Sequence, residues 1–275
     1  MILKGIQATA VLLVLILSNS ATVQAQLFLK DSISVSRGKD VKVDDLGNIY
    51  VVDKSQALYI YRVSGQEFSF NAKSLGQIGN IDVSNPLKIL VHYPSTGQLL
   101  VLDNNLVEIG RISLEKWQIF GTNVCIAASK LNGFWLYNPM DRSMLRFDFN
   151  GNRQVENLIG KWLGDAYPTY LFERDGLLYA SLSDGRIASF DRNGRWIETV
   201  IGLKSGVKNF QINHGWIYFI QTDSIIFLHL VSLQQKKLPL PSEFISEGKK
   251  VKIFCFGDQV YFLRPKQVLI YKIKT

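Results

Sequence analysis

The sequence predicts an all-β protein folded as a six-bladed β-propeller with four-stranded blades. Short runs rich in β-branched and aromatic residues alternate with Gly, Asn and Ser, which is the pattern of strands joined by tight turns. Two turn signals per unit recur with a spacing of about 42 residues, a period typical of propeller blades with four strands each. The last repeat is one strand short, which indicates that a strand from elsewhere in the chain completes it.

The first repeat, residues 41–75, shows the unit most clearly. Its four strand-like runs are separated by turn signals, among them Leu46-Gly47-Asn48 and Ser64-Gly65. Asn-Gly pairs supply the positive φ that tight hairpins require. The first turn of the unit recurs at Asn85-Pro86, Asn132-Gly133, Asp175-Gly176, His214-Gly215 and Gly257-Asp258, and the second at Asn104-Asn105, Asn150-Gly151 and Asn193-Gly194.

The sixth repeat contains only three strand-like runs, at Lys250–Phe256, Gln259–Leu263 and Val268–Ile273. A lone run at Gln26–Ser36 precedes the first repeat. We expect Leu27–Ile33 to pair beside the last of the three runs and so to close the ring. A closed ring leaves no free radial sheet edge, which is how propellers avoid edge-to-edge aggregation.

Residues 1–25 have the features of a secretory signal peptide. Lys4 provides a positive start, Ala8–Leu17 is apolar but too short to span a bilayer, and Val23-Gln24-Ala25 supplies small residues for cleavage. We therefore expect a single exported propeller domain at residues 26–275, without a transmembrane segment. No sorting domain follows the last predicted strand, so we expect the periplasm as its location.

Basic residues are concentrated in the last third of the chain. Residues 204–275 contain eleven Lys or Arg and four acidic residues, whereas the whole chain has a formal charge of +8. Either contact with an acidic protein or anionic surface, or a solvated basic rim without a partner, accounts for this distribution. Nucleic acid is not an expected partner, because an exported chain without a nucleic-acid-binding motif has no reason to meet it.

The two cysteines, Cys125 and Cys255, belong to different repeats. Export permits disulfides, but this separation along the chain favours two buried free thiols. Neither cysteine lies near a candidate base in the sequence.

A propeller commonly binds its ligands at the mouth of the central channel, which the innermost strand of each blade lines. Oxygen ligands converging from separate strands could hold Ca²⁺ and polarise a substrate, so a metal-dependent lactonase- or lyase-like enzyme is the alternative function. Asp82 and Glu173 are its candidate ligands. Otherwise we assign no cofactor. The polar residues of the predicted innermost strands are Asp44, Asp82, Asn123, Glu173, Asn209, Asn213 and Lys252.

Other catalytic patterns are missing from the sequence. His92, His214 and His229 are the only histidines, and no two of them have the spacing of metal ligands. The sequence also lacks Gly-x-Ser-x-Gly and a phosphate-binding Gly-rich loop. We therefore assign no catalytic residue and favour a protein without enzymatic activity.

The connections on one face of the predicted ring carry aromatic, Met and basic residues. Loops from each outer strand to the next inner strand share this face with the loops between second and third strands. Protein interfaces are enriched in aromatic residues, Met and Arg, so this face predicts a protein-binding surface. Carbohydrate binding by exposed Trp is a further alternative, and Trp117 and Trp162 could instead wedge between blades. The candidate partner-binding residues are Tyr93, Trp117, Phe120, Met140, Trp162, Tyr167, Arg264 and Lys266.

The first repeat also resembles a known group of propellers. Asp44-Asp-Leu-Gly-Asn-Ile-Tyr-Val-Val-Asp53 is similar to the D-x-x-G-N-I-Y-V-x-D core of NHL-type and YncE-like blades, and the stretches Asn85–Pro94 and Val101–Leu106 resemble exported propellers of Bacteroidota. Some proteins of that kind are accessory subunits of outer-membrane machinery, including the plug of the type IX secretion translocon. The resemblance implies an accessory or plug-like subunit of an outer-membrane protein-export complex.

Overall fold

The computed structural model describes residues 26–274 apart from 122, 203–210, 214–215, 230–231, 233 and 246–251. The segment expected to be a signal peptide lies outside the described residues. The described chain forms six antiparallel sheets of four strands each, and each sheet is one blade of a propeller. The predicted fold class is therefore confirmed.

The strands follow one another from the inner to the outer edge of each blade. The first strand, β1 (Gln26–Ser34), belongs to the last blade. The first three blades are β2 (Gly38–Val43), β3 (Ile49–Asp53), β4 (Ala57–Tyr61) and β5 (Glu67–Asn71); β6 (Asn80–Asp82), β7 (Ile89–Tyr93), β8 (Gln98–Leu102) and β9 (Glu108–Ser113); and β10 (Cys125–Ser129), β11 (Gly133–Asn138), β12 (Ser143–Asp148) and β13 (Arg153–Leu158).

The remaining blades repeat this order. Among the described residues, helical segments occur only in the connections between blades, at Lys73–Leu75, Leu114–Trp117, α1 (Gly160–Leu163) and α2 (Ser242–Ile245). None of them is long and apolar enough to cross a membrane. The last three blades are β14 (Pro168–Arg174), β15 (Leu177–Leu182), β16 (Arg186–Phe190) and β17 (Trp196–Gly202); β18 (Gln211–Asn213), β19 (Trp216–Gln221), β20 (Ser224–His229) and β21 (Gln235–Pro239); and β22 (Lys252–Phe256), β23 (Gln259–Arg264), β24 (Gln267–Lys274) and β1.

The ring closes as the sequence predicts. Strand β1 pairs antiparallel with β24, with Leu27 opposite Ile273 and Ile33 opposite Val268. Leu27 packs against the apolar cluster between the fifth and sixth blades, and Ile33 against the cluster between the sixth and first. The N-terminal strand therefore joins the two ends of the chain through both hydrogen bonds and packing.

A repeated aspartate explains the motif that marks the hairpin turns. The Asp103 carboxylate accepts hydrogen bonds from the backbone N–H groups of Asn105 and Val107, both at 2.8 Å. A side-chain acceptor placed two and four residues before these donors stabilises the turn without help from the rest of the protein. The same arrangement occurs at Asp44, Asp148 and Asp191.

The ring has two faces with different connections. The face that we call the loop face carries the loops between second and third strands and the segments from each outer strand to the next inner strand. The opposite face, here called the turn face, carries the hairpin turns between first and second and between third and fourth strands. Apolar clusters fill the space between neighbouring blades, for example Leu90, Ile126 and Leu145 between the second and third.

Candidate functional site

The central channel is narrow where the described residues line it. Lys42, Asp82, Tyr170 and Phe254 contribute to a cavity of about 50 Å³ there. A water molecule occupies about 30 Å³ in the liquid, whereas small-molecule sites have volumes of about 300–1,000 Å³. This cavity therefore has room for one or two water molecules.

A lysine fills much of this channel. Lys42 Nζ lies 3.5 Å from the Tyr170 hydroxyl, 4.9 Å from the centroid of the Tyr170 ring and 5.9 Å from that of Phe254. Burial lowers the pKa of Lys42, but its interactions with Tyr170 and with the Asp40 carboxylate together outweigh burial, and the pKa lies above its ordinary value. Lys42 is therefore a charged ammonium at neutral pH and is not available as a general base.

The two carboxylates proposed as metal ligands connect neighbouring blades. Asp82 on β6 accepts a hydrogen bond from the backbone N–H of Ala128 on β10, at 2.8 Å. Glu173 on β14 accepts hydrogen bonds from the Lys130 backbone N–H, at 3.1 Å, and from the Trp135 indole. No group of three or more metal-binding side chains occurs among the described residues. The structure thus gives both carboxylates a role in stability.

The other polar residues of the inner strands also have structural partners or lie elsewhere. Asp44 is buried and accepts hydrogen bonds from its own turn and from the Tyr50 hydroxyl, at 3.0 Å. Lys252 forms a surface ion pair with Asp40, at 3.1 Å. Asn123 is exposed on the connection before β10. The side chains of Asn209 and Asn213 lie outside the described residues.

Neither of the described histidines contributes to the channel lining. His229, at the end of β20, is bonded through Nδ1 to the backbone N–H of Ser232, at 3.1 Å, and its ring lies edge-on to Trp216. His92 is buried in β7 beside a separate cavity between the second and third blades. His214 lies outside the described residues.

Both cysteines are free thiols, as expected, although only Cys255 is fully buried. The Cys125 thiol is partly buried and donates a hydrogen bond to the Pro168 carbonyl oxygen, at 3.2 Å. Burial raises the pKa of each thiol to about 12. Thiolate, the reactive form, is therefore scarce at neutral pH.

This protection predicts how the native protein responds to thiol reagents. At pH 8, we expect neither cysteine to react with a disulfide reagent within an hour, because fewer than about one thiol in a thousand is ionised. Both should react at once in guanidinium chloride, and absorbance of the released chromophore measures this. Rapid labelling of the native protein, or fewer than two thiols after unfolding, would contradict the structure.

Three of the predicted partner-binding residues are exposed together on the loop face. Met140 is 73% exposed, Phe120 53% and Tyr167 39%. Leu158, which the sequence did not single out, is 65% exposed at the end of β13. We call these four residues the loop-face patch.

The loop-face patch is continuous across the third blade. Gly121, next to Phe120, lies against Pro139, next to Met140. Arg142 then donates a hydrogen bond to the Ala166 carbonyl oxygen, at 2.8 Å, and so joins the loop of Met140 to the segment that carries Tyr167. Leu158 lies on the strand paired with the start of β12, directly below the same loop.

Three other predicted residues of this face are packed into the body of the protein. Tyr93 is 0% exposed, so its assignment to a binding surface is wrong. Trp117 stacks on Phe147 with ring centroids 4.0 Å apart, and Trp162 stacks on Trp196 at 6.2 Å. Large aromatic side chains fill the wedge-shaped space between radially arranged blades, which is the alternative that the sequence left open for both tryptophans.

Arg264 and Lys266 lie in the sixth blade, on the opposite side of the ring from the third. The Arg264 guanidinium lies over the Phe244 ring, 4.8 Å from its centroid. Lys266 is exposed, and its carbonyl oxygen accepts a hydrogen bond from the Val35 N–H, at 2.8 Å. Both residues are therefore remote from the loop-face patch.

The basic side chains of the last two blades are only partly paired. Surface ion pairs join Lys237 to Asp223 at 3.6 Å and Lys272 to Asp258 at 3.2 Å. Exposed pairs of this kind contribute little to stability. The side chain of Lys266 remains exposed in the same region.

The turn face also exposes apolar side chains, which the sequence analysis missed. They are aliphatic and belong to turns of the first three blades. Leu and Val are under-represented among the residues that dominate interface energies, whereas aromatic residues and Met are enriched at interfaces. The loop-face patch is therefore the stronger candidate. The exposed aliphatic residues of the turn face are Leu46, Val63, Leu87, Val107 and Leu131.

Solved structures with the same fold include a lyase and a WD40 domain. Virginiamycin B lyase from Staphylococcus aureus aligns with a TM-score of 0.61 at 10% identity, over 90% of this chain and 99% of that chain. A catalytically inactive histidine-to-alanine variant of that lyase, with quinupristin, gives 0.61 at 11% identity over 90% and 99%. The Neurospora crassa Pan2 WD40 domain gives 0.56 at 8% identity over 90% and 95%.

At these identities the comparisons establish the propeller fold alone. No protein-family model matches the chain, and neither does the sequence of any curated protein.

Proposed function

We propose that the protein is a non-enzymatic, exported propeller that binds a partner protein through the loop-face patch. The observation that carries this proposal is the contrast between the two possible sites. The cavity in the described channel is only about 50 Å³, whereas Phe120, Met140 and Tyr167 are exposed on the loop face. A surface of this composition is what protein interfaces use as their apolar centre.

Burial of the loop-face patch against a partner would contribute enough free energy to form the centre of an interface. Fully burying one Phe, Met or Leu side chain contributes about 1.5–3 kcal/mol. Met140 lies at the middle of the patch with most of its surface exposed, so it gains most from a partner. Polar groups of the surrounding loops would form the rim.

The enzyme alternative has weaker support. The similar lyase is catalytically inactive when one of its histidines is replaced by alanine. In this chain neither His92 nor His229 lines the described channel, and the Asp82 and Glu173 carboxylates accept hydrogen bonds from neighbouring blades. Tight stoichiometric Ca²⁺ in the purified protein, lost on replacing Asp82, would favour the enzyme instead.

Carbohydrate binding by stacking on Trp is also less well supported. Trp117 and Trp162 each present a ring face to another aromatic side chain of the protein. One face of each ring is therefore already covered by the protein. Binding of a glycan that disappears in the Trp162→Ala variant would revive this alternative.

At a finer level, we propose that the partner belongs to an outer-membrane protein-export complex and that the protein works in the periplasm as its accessory or plug-like subunit. The signal-peptide features of residues 1–25 and the resemblance of the first two repeats to exported propellers support this. The basic surface of the last two blades, with exposed Lys266, suits contact with an acidic or anionic surface of the same complex.

A pair of matched variants tests the proposal. Met140→Asp places a charge in the loop-face patch, and Leu87→Asp places the same charge on the turn face at a site of similar exposure. We expect the first to reduce capture of a stoichiometric partner from envelope extracts at least about tenfold, because a desolvated unpaired charge costs well over 1.4 kcal/mol. The second should have no effect. Equal capture by both variants, or loss only with Leu87→Asp, would contradict the proposal.

A further inference from the structure

The loop face has a cavity of about 350 Å³ between the second and third blades. The loop of residues 94–97 lines it together with His92 and with Leu114, Glu115, Ile119, Phe120, Gly121 and Val124. Its volume falls in the range of about 300–1,000 Å³ that small-ligand sites have. Phe120 of the loop-face patch forms part of its wall, so the cavity and the patch are continuous.

His92 is a buried polar side chain that contributes to the lining of this cavity. The side chain is 96% buried, since its exposed fraction is 4%, and it forms no hydrogen bond with any other described residue. Its ring nitrogens are nevertheless not among the polar atoms sealed away from solvent. A buried polar side chain without a partner is rare in folded proteins and calls for a ligand or water.

The protonation state of His92 limits the chemistry of that ligand. Burial lowers the pKa of His92 to about 4, so the imidazole is neutral near pH 7. A neutral imidazole has one nitrogen that accepts a hydrogen bond and one that donates. It therefore accepts a hydrogen bond from a cationic N–H donor without charge repulsion.

Glu115 provides a negative charge at the same cavity. Its side chain is exposed on the short helix Leu114–Trp117, and its carboxylate has no ion pair or hydrogen bond with another residue of the described chain. An anionic ligand would be repelled here, and a cationic one attracted. The exposed side chain of Phe120 in the cavity wall suits an aliphatic chain.

We propose that this cavity binds a Lys or Arg side chain of the partner protein. The aliphatic stem packs against Phe120, and the charged end donates hydrogen bonds to the acceptor nitrogen of His92 and to the Glu115 carboxylate. The inference rests on the proposed function and specifies it: the partner presents a basic residue beside the apolar surface that covers Met140.

Binding of single amino-acid probes to the full mature protein tests this inference without the partner. The probes are N-acetyl-arginine amide and N-acetyl-lysine amide, with N-acetyl-norleucine amide and N-acetyl-glutamate amide as the apolar and anionic controls. Nitrogen NMR of ¹⁵N-histidine-labelled protein reports on the His92 ring directly. We expect a saturable shift of its acceptor nitrogen with Arg or Lys and none with the two controls.

Two charge-neutralising variants test whether the Glu115 carboxylate contributes to binding of the basic probe. Glu115→Gln should weaken the binding of the basic probe about fivefold, the effect of one exposed ion pair. Glu67→Gln, which removes the same charge on the outer strand of the first blade, should leave it unchanged. Equal shifts with norleucine, a response to glutamate alone, an unchanged affinity in Glu115→Gln or no response to any probe would overturn the inference.

The Met140→Asp variant separates this inference from the proposed function. It should still bind the basic probe, because Met140 does not line the cavity, while it loses the partner protein. Probe binding together with undiminished partner capture in Met140→Asp would refute the loop-face patch and leave the basic-residue cavity in place. Loss of partner capture in Met140→Asp without binding of the basic probe would refute the basic-residue cavity and leave the loop-face patch in place.

Discussion

Removing residues 26–34 is expected to unfold most of the propeller at physiological temperature. The deletion takes away the outer strand of the sixth blade, which forms eight residue pairs with β24. At a net contribution of about 1 kcal/mol per hydrogen bond and further apolar burial of Leu27 and Ile33, the loss is about 5 kcal/mol or more. Domains have a total stability of only about 5–15 kcal/mol. Thermal unfolding followed by circular dichroism measures the change.

A synthetic peptide with the sequence of residues 26–34 serves as the matched rescue. Added in excess to the shortened protein, it should restore cooperative unfolding by pairing with β24, whereas a peptide with the order of its residues scrambled should not. A shortened protein that melts at the temperature of the full domain would show that strand β1 does not close the ring.

Replacing Glu173 by Ala is expected to cost about 3–5 kcal/mol of unfolding free energy. The carboxylate is buried and accepts hydrogen bonds from the Lys130 N–H and the Trp135 indole. Hydrogen bonds to a charged group contribute about 1.5–3 kcal/mol each, and the variant leaves the Trp135 indole N–H without its acceptor in the protein interior. Urea unfolding followed by Trp fluorescence measures the loss.

Two further variants show whether the carboxylate acts through these bonds. Glu173→Gln keeps one acceptor oxygen and should lose about half as much stability. Glu156→Ala removes an exposed carboxylate paired with Arg153 on the outer edge of the third blade and should change stability by less than about 1 kcal/mol. A Glu173→Ala variant as stable as Glu156→Ala would refute the structural role of Glu173.

The architecture was predictable because it depends on signals that are local in the sequence. Each hairpin turn is stabilised by its own residues. Asp103, for example, accepts hydrogen bonds from the backbone N–H groups two and four positions later. Repetition of such turns at one spacing sets the number of blades. The closing strand was predictable for the same reason, since the sixth repeat visibly lacks a fourth strand.

The binding surface was only partly predictable, because both faces of each blade are buried. In an ordinary sheet, alternation tells which side chains reach solvent; in β7 it places His92 and Tyr93 towards different neighbouring blades and leaves both buried. Exposure of Phe120 or Met140 and burial of Trp117 depend on how the connecting segments fold over the blades. No local pattern encodes that.

The roles of the channel carboxylates could not be predicted from the sequence for a different reason. Asp82 and Glu173 bond to residues 46 and 43 positions away, respectively, in the neighbouring blade. A partner one blade away cannot be recognised from spacing alone. From the sequence, a carboxylate on an inner strand could therefore be a metal ligand or a hydrogen-bond acceptor that connects two blades. Lys42, which fills the channel, gave no signal beyond its charge.

The loop face is the surface that we propose meets a partner, and photocrosslinking in the native cells tests this directly. A photoreactive amino acid is placed at position 140 on the loop face or at position 87 on the turn face, and adducts are identified by mass spectrometry. We expect one defined protein adduct from position 140 and none from position 87. An adduct only from position 87, or none from either site, would contradict the proposal.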